Sequence, residues 1–255
     1  MREEAPGDHP SSISGLLEVM DRLAGRLPPE QASLAEFLVT YRRTTVAVDE
    51  ALRAGFFEDP EWVEQWDIAF AAFYLEALRE HLVAAGTPSR PWQLAFAAPP
   101  GLPPLLSVLL GMNAHINYDL PQAILAVVTD AQFRDSALMA RRLRDHERID
   151  TILAGRVAAE DVQISSRSTR RPIDRTLRPV NRWASKRFLR EAREKVWGNT
   201  LELWHARTIG EDDYRTRLTE LEVLTAAKVT DLLTPGPVLL RLAVSGFGVT
   251  LPPRG

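Results

Sequence analysis

The chain has 255 residues, no cysteine, and a formal net charge of −3 from 31 basic and 34 acidic side chains. Without cysteine, disulfides, thiolate zinc sites, iron–sulfur clusters and cysteine nucleophiles are excluded. The near balance of charge argues against a nucleic-acid partner for the protein as a whole. A chain of this length can bury a substantial core in one domain.

The segment Met1–Pro10, MREEAPGDHP, is acidic and proline-containing and has no apolar stretch of the kind a secretory signal needs, so it reads as a tail. Ile13, Leu16, Leu17, Met20, Leu23 and Leu27 then recur at the spacing that keeps one helix face apolar, with Ser11 or Ser12 as cap and Pro28-Pro29 as stop. A second helix is predicted over Glu30–Ala54 through Leu34, Phe37, Leu38, Tyr41, Val46, Val48 and Leu52. Asp59 can cap a third helix that starts at Pro60. Its band of Trp62, Val63, Trp66, Phe70, Phe73, Tyr74, Ala77 and Leu78 is broad enough to require burial on more than one side.

Ala85–Pro104 holds six prolines and reads as a loop. It leads to a central apolar helix, Leu105–Val128, in which Pro121 predicts a kink or break. The wider apolar stretch, Leu102–Val128, is interrupted by Asn113, His115, Asn117 and Asp119 and therefore fails as a membrane span. With no signal and no span, the expected location is the cytoplasm.

An Arg-rich amphipathic helix is predicted from Asp130 to about Leu153, a basic loop over Glu160–Arg178, and helices over Val180–Arg207 and Asp212–Leu233. The apolar, glycine- and proline-punctuated tail suggests an extended strap over residues 235–255. No repeat of solenoid length and no strand–helix alternation is present. The expectation is an all-α single-domain helical bundle over residues 11–234 around a central helix that carries a polar cluster.

That cluster is GMNAHINYDLP, Gly111–Pro121. At about 100° of rotation per residue, Asn113 and Asn117 share one face, and His115 and Asp119 share nearly the opposite one. Burying polar side chains without partners costs on the order of 1–3 kcal/mol each, so each face predicts partners. One reading is a hydrogen-bond network that fixes helix register. The other is a pocket in which His115 is the acid–base residue, Asp119 orients it, and Asn113 and Asn117 bind substrate atoms. Asp67 and Tyr74, two turns apart on the aromatic helix, are predicted to face the motif helix and form the opposite wall. Desolvation there drives the Asp67 carboxylate toward the protonated form unless Arg193, Tyr74 or His115 partners it.

The run MNAHINYDLP, with FEDPEWVEQWDIAFAAFYLEAL upstream and REAREKVWGNTLELW downstream, resembles a bacterial family of unknown function marked by an N-A-H-I-N-x-D-L-P motif. The resemblance covers Leu34–Leu233. It implies a helical fold and a shared site, with Asp67 and Tyr74 matching polar positions of the upstream segment and Arg193 and Trp197 those of the downstream one. It brings no activity with it.

Metal binding is a further alternative. His115 and Asp119 have a spacing that can bring imidazole and carboxylate onto one ion, and Glu202 with His205 forms a Glu-x-x-His of the kind found in di-metal bundles. These pairs fall short of a closed site, so no cofactor is expected. Nucleophile-elbow, Walker A and dinucleotide templates are absent. From Arg167 to Lys195 eleven Lys or Arg stand against three acids. That stretch reads as a solvated loop and helix face, with anionic-surface binding as its functional alternative, in which case Arg167, Arg170, Arg171, Arg175 and Arg178 share an exposed face.

The leading expectation is therefore an enzyme acting on a small-molecule ligand by hydrolysis, proton transfer or a cyclisation in specialised metabolism. The alternatives are a noncatalytic helical binding or scaffold protein, and a metal-dependent hydrolase or oxidase using His115 and Asp119.

Overall fold

The computed structural model describes residues 10–28, 31–83, 86–99, 101–166 and 178–253. Among them every regular element is a helix and there is no strand. Helix α1, Ile13–Arg26, is capped by Ser12, whose Oγ accepts from the Gly15 amide at 3.2 Å. Helices α2, Ala32–Arg53, and α3, Pro60–Val83, follow. The start of α3 is fixed by a residue far along the chain. The fully buried Asp145 carboxylate accepts the amides of Glu58 and Asp59, at 2.9 and 2.7 Å. A carboxylate at that position satisfies amides beside a helix N-terminus and complements its positive end.

The proline-rich stretch is not the uninterrupted loop expected over Ala85–Pro104. It contains α4, Arg90–Phe96, with Pro91 in its first turn and Trp92 fully buried. The first turn is where a helix tolerates a residue without an amide hydrogen, so proline starts this helix instead of breaking it. The central segment is also subdivided. Helix α5 spans Pro104–Ala114, a π turn covers His115–Asp119, and α6 runs over Leu120–Val127. The irregularity expected at Pro121 thus lies one turn earlier, with the Leu120 amide reaching back to the His115 carbonyl. Pro121 has no amide hydrogen and its ring crowds the turn before it. A wider turn upstream relieves that crowding and re-aims the polar side chains.

The helix predicted from Asp130 to Leu153 is two helices. Helix α7, Asp130–Arg134, opens on a capping box between Thr129 and Gln132, and α8, Ser136–Ser166, starts after Asp135, whose side chain accepts the amides of Ala137 and Leu138. Because α8 continues to Ser166, the first part of the expected Glu160–Arg178 loop is helical. Arg167, Arg170, Arg171 and Arg175 lie outside the described residues, and of Arg178 only the backbone is described. Helices α9, Arg178–Ile209, and α10, Glu211–Leu233, agree with expectation to within a few residues. The strap is shorter than 235–255, because a further helix, α11, Val238–Ser245, precedes it. Extended chain begins at Gly246, whose φ of +71° suits glycine.

The central α5–π–α6 segment is surrounded. Helix α2 packs on α5, α3 on α6, α9 on α6 and the π turn, and α10 on α5 and the π turn. Helix α4 closes over α5 and α10, α8 bridges α2 and α9, and α1 covers α2. This enclosure explains a helix that is apolar nearly all round yet bears polar groups on two faces. No helix among the described residues is long and apolar enough to cross a membrane.

Candidate functional site

The end of α5, which carries Asn113, and the π turn, which carries His115, Asn117 and Asp119, present the four polar motif residues to two different sets of neighbours. On the α2–α3 side, His115 Nδ1 lies 2.9 Å from Asp119 Oδ2, and the same oxygen accepts the Trp92 indole N–H at 2.8 Å. The His115 ring lies flat on Phe70, centroids 3.5 Å apart and 6° from parallel. Tyr41 meets it edge-on at 4.7 Å, and Tyr74, Trp92 and Phe37 stand within 6.0 Å. His115 is only 2 % exposed, so its imidazole is sealed among aromatic rings.

Helix periodicity explains how α3 contributes. Asp67, Phe70 and Tyr74 recur at i, i+3 and i+7, so one face presents them together, with Phe70 on the imidazole, Tyr74 near it and Asp67 in the electrostatic neighbourhood of Tyr41. All three are buried. Four polar atoms in this region have no protein hydrogen-bond partner: Tyr41 Oη, Tyr74 Oη, His115 Nε2 and Asp67 Oδ2. Burial holds the His115 imidazole well below its ordinary range and pushes the Asp119 carboxyl well above the usual carboxylate range, against the Trp92 hydrogen bond. The Tyr41 phenol is raised by burial first and then by the charges of Asp67 and Asp119, which places all three groups in one electrostatic neighbourhood.

Arg193 and Trp197, the two downstream positions, meet at His146. Arg193 Nε pairs with Asp150 at 2.8 Å, its guanidinium donates to the His146 carbonyl, and it lies over the Trp66 ring at 5.7 Å. Trp197 faces the His146 ring at 5.5 Å. Burial raises the Asp67 carboxyl to about 7, while Arg193 pulls in the opposite direction and Asp49 adds to the rise. Arg193 is therefore an electrostatic neighbour of Asp67 whose geometric partner is Asp150.

The two asparagines face the other way. Asn113 and Asn117 both donate to the Phe247 carbonyl, at 3.0 and 3.1 Å, and Asn117 Oδ1 accepts the Val249 amide at 3.2 Å. The asparagines expected to bind substrate atoms hold the C-terminal strap, from the face that helix spacing sets nearly opposite to His115. Glu202 and His205 do not join the motif as a metal set. Glu202 accepts from Arg217 at 3.1 Å, and His205 is exposed beside Trp204. Among the described residues no group of three or more His, Asp or Glu is placed to hold a metal ion.

Sequence reasoning missed Tyr41 and Trp92 as neighbours of the His115–Asp119 pair, and Asn199 as a third strap-holding amide. Tyr41 was legible only as one apolar position among many on α2, and Trp92 sat in a stretch dominated by prolines. Asn199, in VWGNTLEL, carried one signal, a carboxamide flanked by apolar residues inside a helix.

Neither curated proteins nor solved structures give a match to this chain. A family model does match, and it covers residues 13–235, from the start of α1 to the loop after α10, with both faces of the motif inside it. The chain belongs to that family, a family of unknown function designated DUF5995.

Proposed function

We propose that Tyr41, Asp67, Tyr74 and His115 line a closed site for a small polar molecule, and that the His115–Asp119 pair performs acid–base chemistry on it. The observation that carries this reading is the contrast between the two faces of one turn. On the strap side both asparagine N–H groups and the Asn117 oxygen have backbone partners and only the Asn113 oxygen lacks one, whereas on the other side four buried polar atoms have none. A network serving helix register alone leaves few such groups unpaired, because each costs on the order of 1–3 kcal/mol.

Burial favours the pair without net charge, with one proton between Asp119 Oδ2 and His115 Nδ1 and with Nε2–H directed at the ring-lined cluster. Transfer of the Nε2 proton to a ligand, with Nδ1 taking the Asp119 proton, makes the pair a relay, and the reverse transfer makes it a base. Asp119 is held for this role by Trp92. The groups suit hydrolysis or proton transfer, and a polar ligand small enough to be enclosed by α2, α3 and the π turn.

One observation favours a noncatalytic, structural role. The imidazole is sealed, with Phe70 across one face. Tyr74→Phe separates the two readings, because it removes only a hydroxyl and leaves the packing. On the ligand reading the variant alone is as stable as the parent or slightly more so. It also loses the rise in Tm that a matching small polar compound, found by thermal-shift screening, gives the parent. A loss of 1–2 kcal/mol in the unliganded variant, measured by denaturant unfolding, supports the structural role and sinks the ligand site.

A further inference from the structure

The strap runs extended from Gly246 to Pro253 and lies in a groove between the π turn and α9. Its backbone is read by side chains. The Phe247 amide donates to Glu191 at 3.3 Å, and its carbonyl accepts from Asn113 and Asn117. Asn117 returns an acceptor to the Val249 amide. Asn199 then repeats the pattern one step on, donating to the Val249 carbonyl at 3.0 Å and accepting the Leu251 amide at 2.9 Å. Lys195 donates to the Gly248 carbonyl at 3.2 Å and Arg217 to the Pro252 carbonyl at 2.7 Å.

Each of these two carboxamides presents one donor and one acceptor to residues i and i+2 of an extended chain, as a neighbouring β-strand does. Alternate side chains, Phe247, Val249 and Leu251, are buried, while Thr250 faces out. At Gly248 a Cβ would lie 2.7 Å from the Ala192 backbone, so the occupant's chain rests directly on α9 at that position. Beyond Leu251 the strap continues, at Pro252 and Pro253, along a surface recess of 430 Å³ lined by Asp212, Asp213, Arg217 and Glu220.

We propose that this groove is a receptor for an extended peptide, and that residues 246–253 are its built-in occupant. The ligand class is a polypeptide segment with an aromatic residue, glycine and two aliphatic residues in the pattern aromatic-Gly-aliphatic-x-aliphatic, supplied by another protein. Recognition through backbone amides is indifferent to the outward side chain and demands only extended geometry and inward apolar residues. All the groove residues named, Asn113, Asn117, Glu191, Lys195, Asn199 and Arg217, lie within the family-matched residues 13–235, whereas the occupant lies outside them. Its tether is fastened by few residues: Arg241 donates to the carbonyls of Asp231 and Thr234, Lys228 donates to Ser245, and Leu242 is the buried apolar anchor. Helix α11 exposes Leu240 and Val244 and buries Leu242, and it follows the loop Thr234–Pro237, where Gly236 has a φ of +124°. A tethered occupant competes at an effective concentration on the order of millimolar, so the intact chain blocks weak peptides and a cut in the loop unblocks them.

The test keeps the full chain. A protease site placed at Gly236 is cut, and the nicked protein is incubated with excess fluorescein-labelled peptide of residues 237–253. The expected result is stoichiometric uptake of label with unchanged far-UV circular dichroism, no uptake by the uncut chain, and about tenfold weaker uptake when the peptide's Val249 nitrogen is methylated, which removes one hydrogen bond. Nicked protein that keeps its fragment and never takes up label, or that loses helicity when the fragment leaves, overturns the proposal, as does uptake insensitive to the methyl group. A second measurement needs no cut. In the intact chain the amides of Val249 and Leu251 are expected to exchange hydrogen at least tenfold faster than those of Ile124 and Val196, through local opening of the strap. Exchange of all four at the rate of global unfolding makes the strap a permanent part of the core and overturns the proposal.

Discussion

Asp67 shows how a single residue can set a pH dependence. Its carboxyl is raised from 3.8 to about 7, chiefly by burial. Because the folded value lies above the unfolded one, folding takes up a proton between the two. The contribution of Asp67 to stability is therefore fully present below about pH 4 and is lost as pH rises through about 7. Asp67→Asn keeps the shape and removes the titration. The variant is expected to match the parent near pH 4 and to exceed it at pH 8 by up to about 4 kcal/mol, as read from urea unfolding at the two pH values. Equal pH dependence of the two proteins means that Arg193 holds the carboxylate ionised. The pairing of His115 with Asp119 and the burial of Asp67 were legible in the sequence, because helix spacing and local apolar composition are both local properties. Tyr41 and Trp92 were not, since what brings them to His115 is the packing of helices far apart in the chain.

At the scale of elements, the legible features were those with a period. The faces of α1 and α2 follow from spacing alone, and the ends of α1, α2, α3 and α10 lie within a few residues of expectation. The irregular features were set by single residues acting at a distance. Helix α4 hides among prolines, the α7–α8 break turns on Asp135, and the π turn arises because the crowding from Pro121 is relieved upstream. Gly111 belongs with these. A Cβ on it would lie 2.6 Å from the Phe37 ring, so the missing side chain lets α2 approach α5 at the point where the motif begins. Gly111→Ala is expected to destabilise by about 1–3 kcal/mol through overpacking, despite its better helix propensity. Phe37→Leu, which withdraws the ring, should recover part of that loss, giving a favourable coupling of about 1 kcal/mol in a double-mutant cycle. Additive losses from the two substitutions show that the ring was free to move aside.

For the molecule as a whole, the all-α class and the central position of the motif segment were legible, because an apolar helix with two polar faces has to be enclosed. The role of the last residues was not. A sequence can show that Phe247, Val249 and Leu251 alternate, but the amides that meet them come from Asn113, Asn117 and Asn199, more than forty residues away along the chain. The strap thereby ties together α9, α10 and the π turn without adding a strand, and it presses on the face of the turn opposite to His115.

Side-chain amides standing in for a sheet also leave a mark on which substitutions the strap can accept. The amides of Phe247, Val249 and Leu251 have acceptors, whereas Thr250 faces solvent between two of them. Proline removes an amide hydrogen and suits an extended backbone, so a proline scan reads the groove like a comb with teeth at every second position. Thr250→Pro is expected to change stability by no more than about 0.5 kcal/mol. Leu251→Pro leaves the Asn199 oxygen unpartnered and removes a buried leucine, and is expected to cost about 3 kcal/mol or more. Over generations the same comb allows the outward positions of the strap to drift while the inward ones and their hydrogens are kept, so that sequences with little similarity can lie along one path.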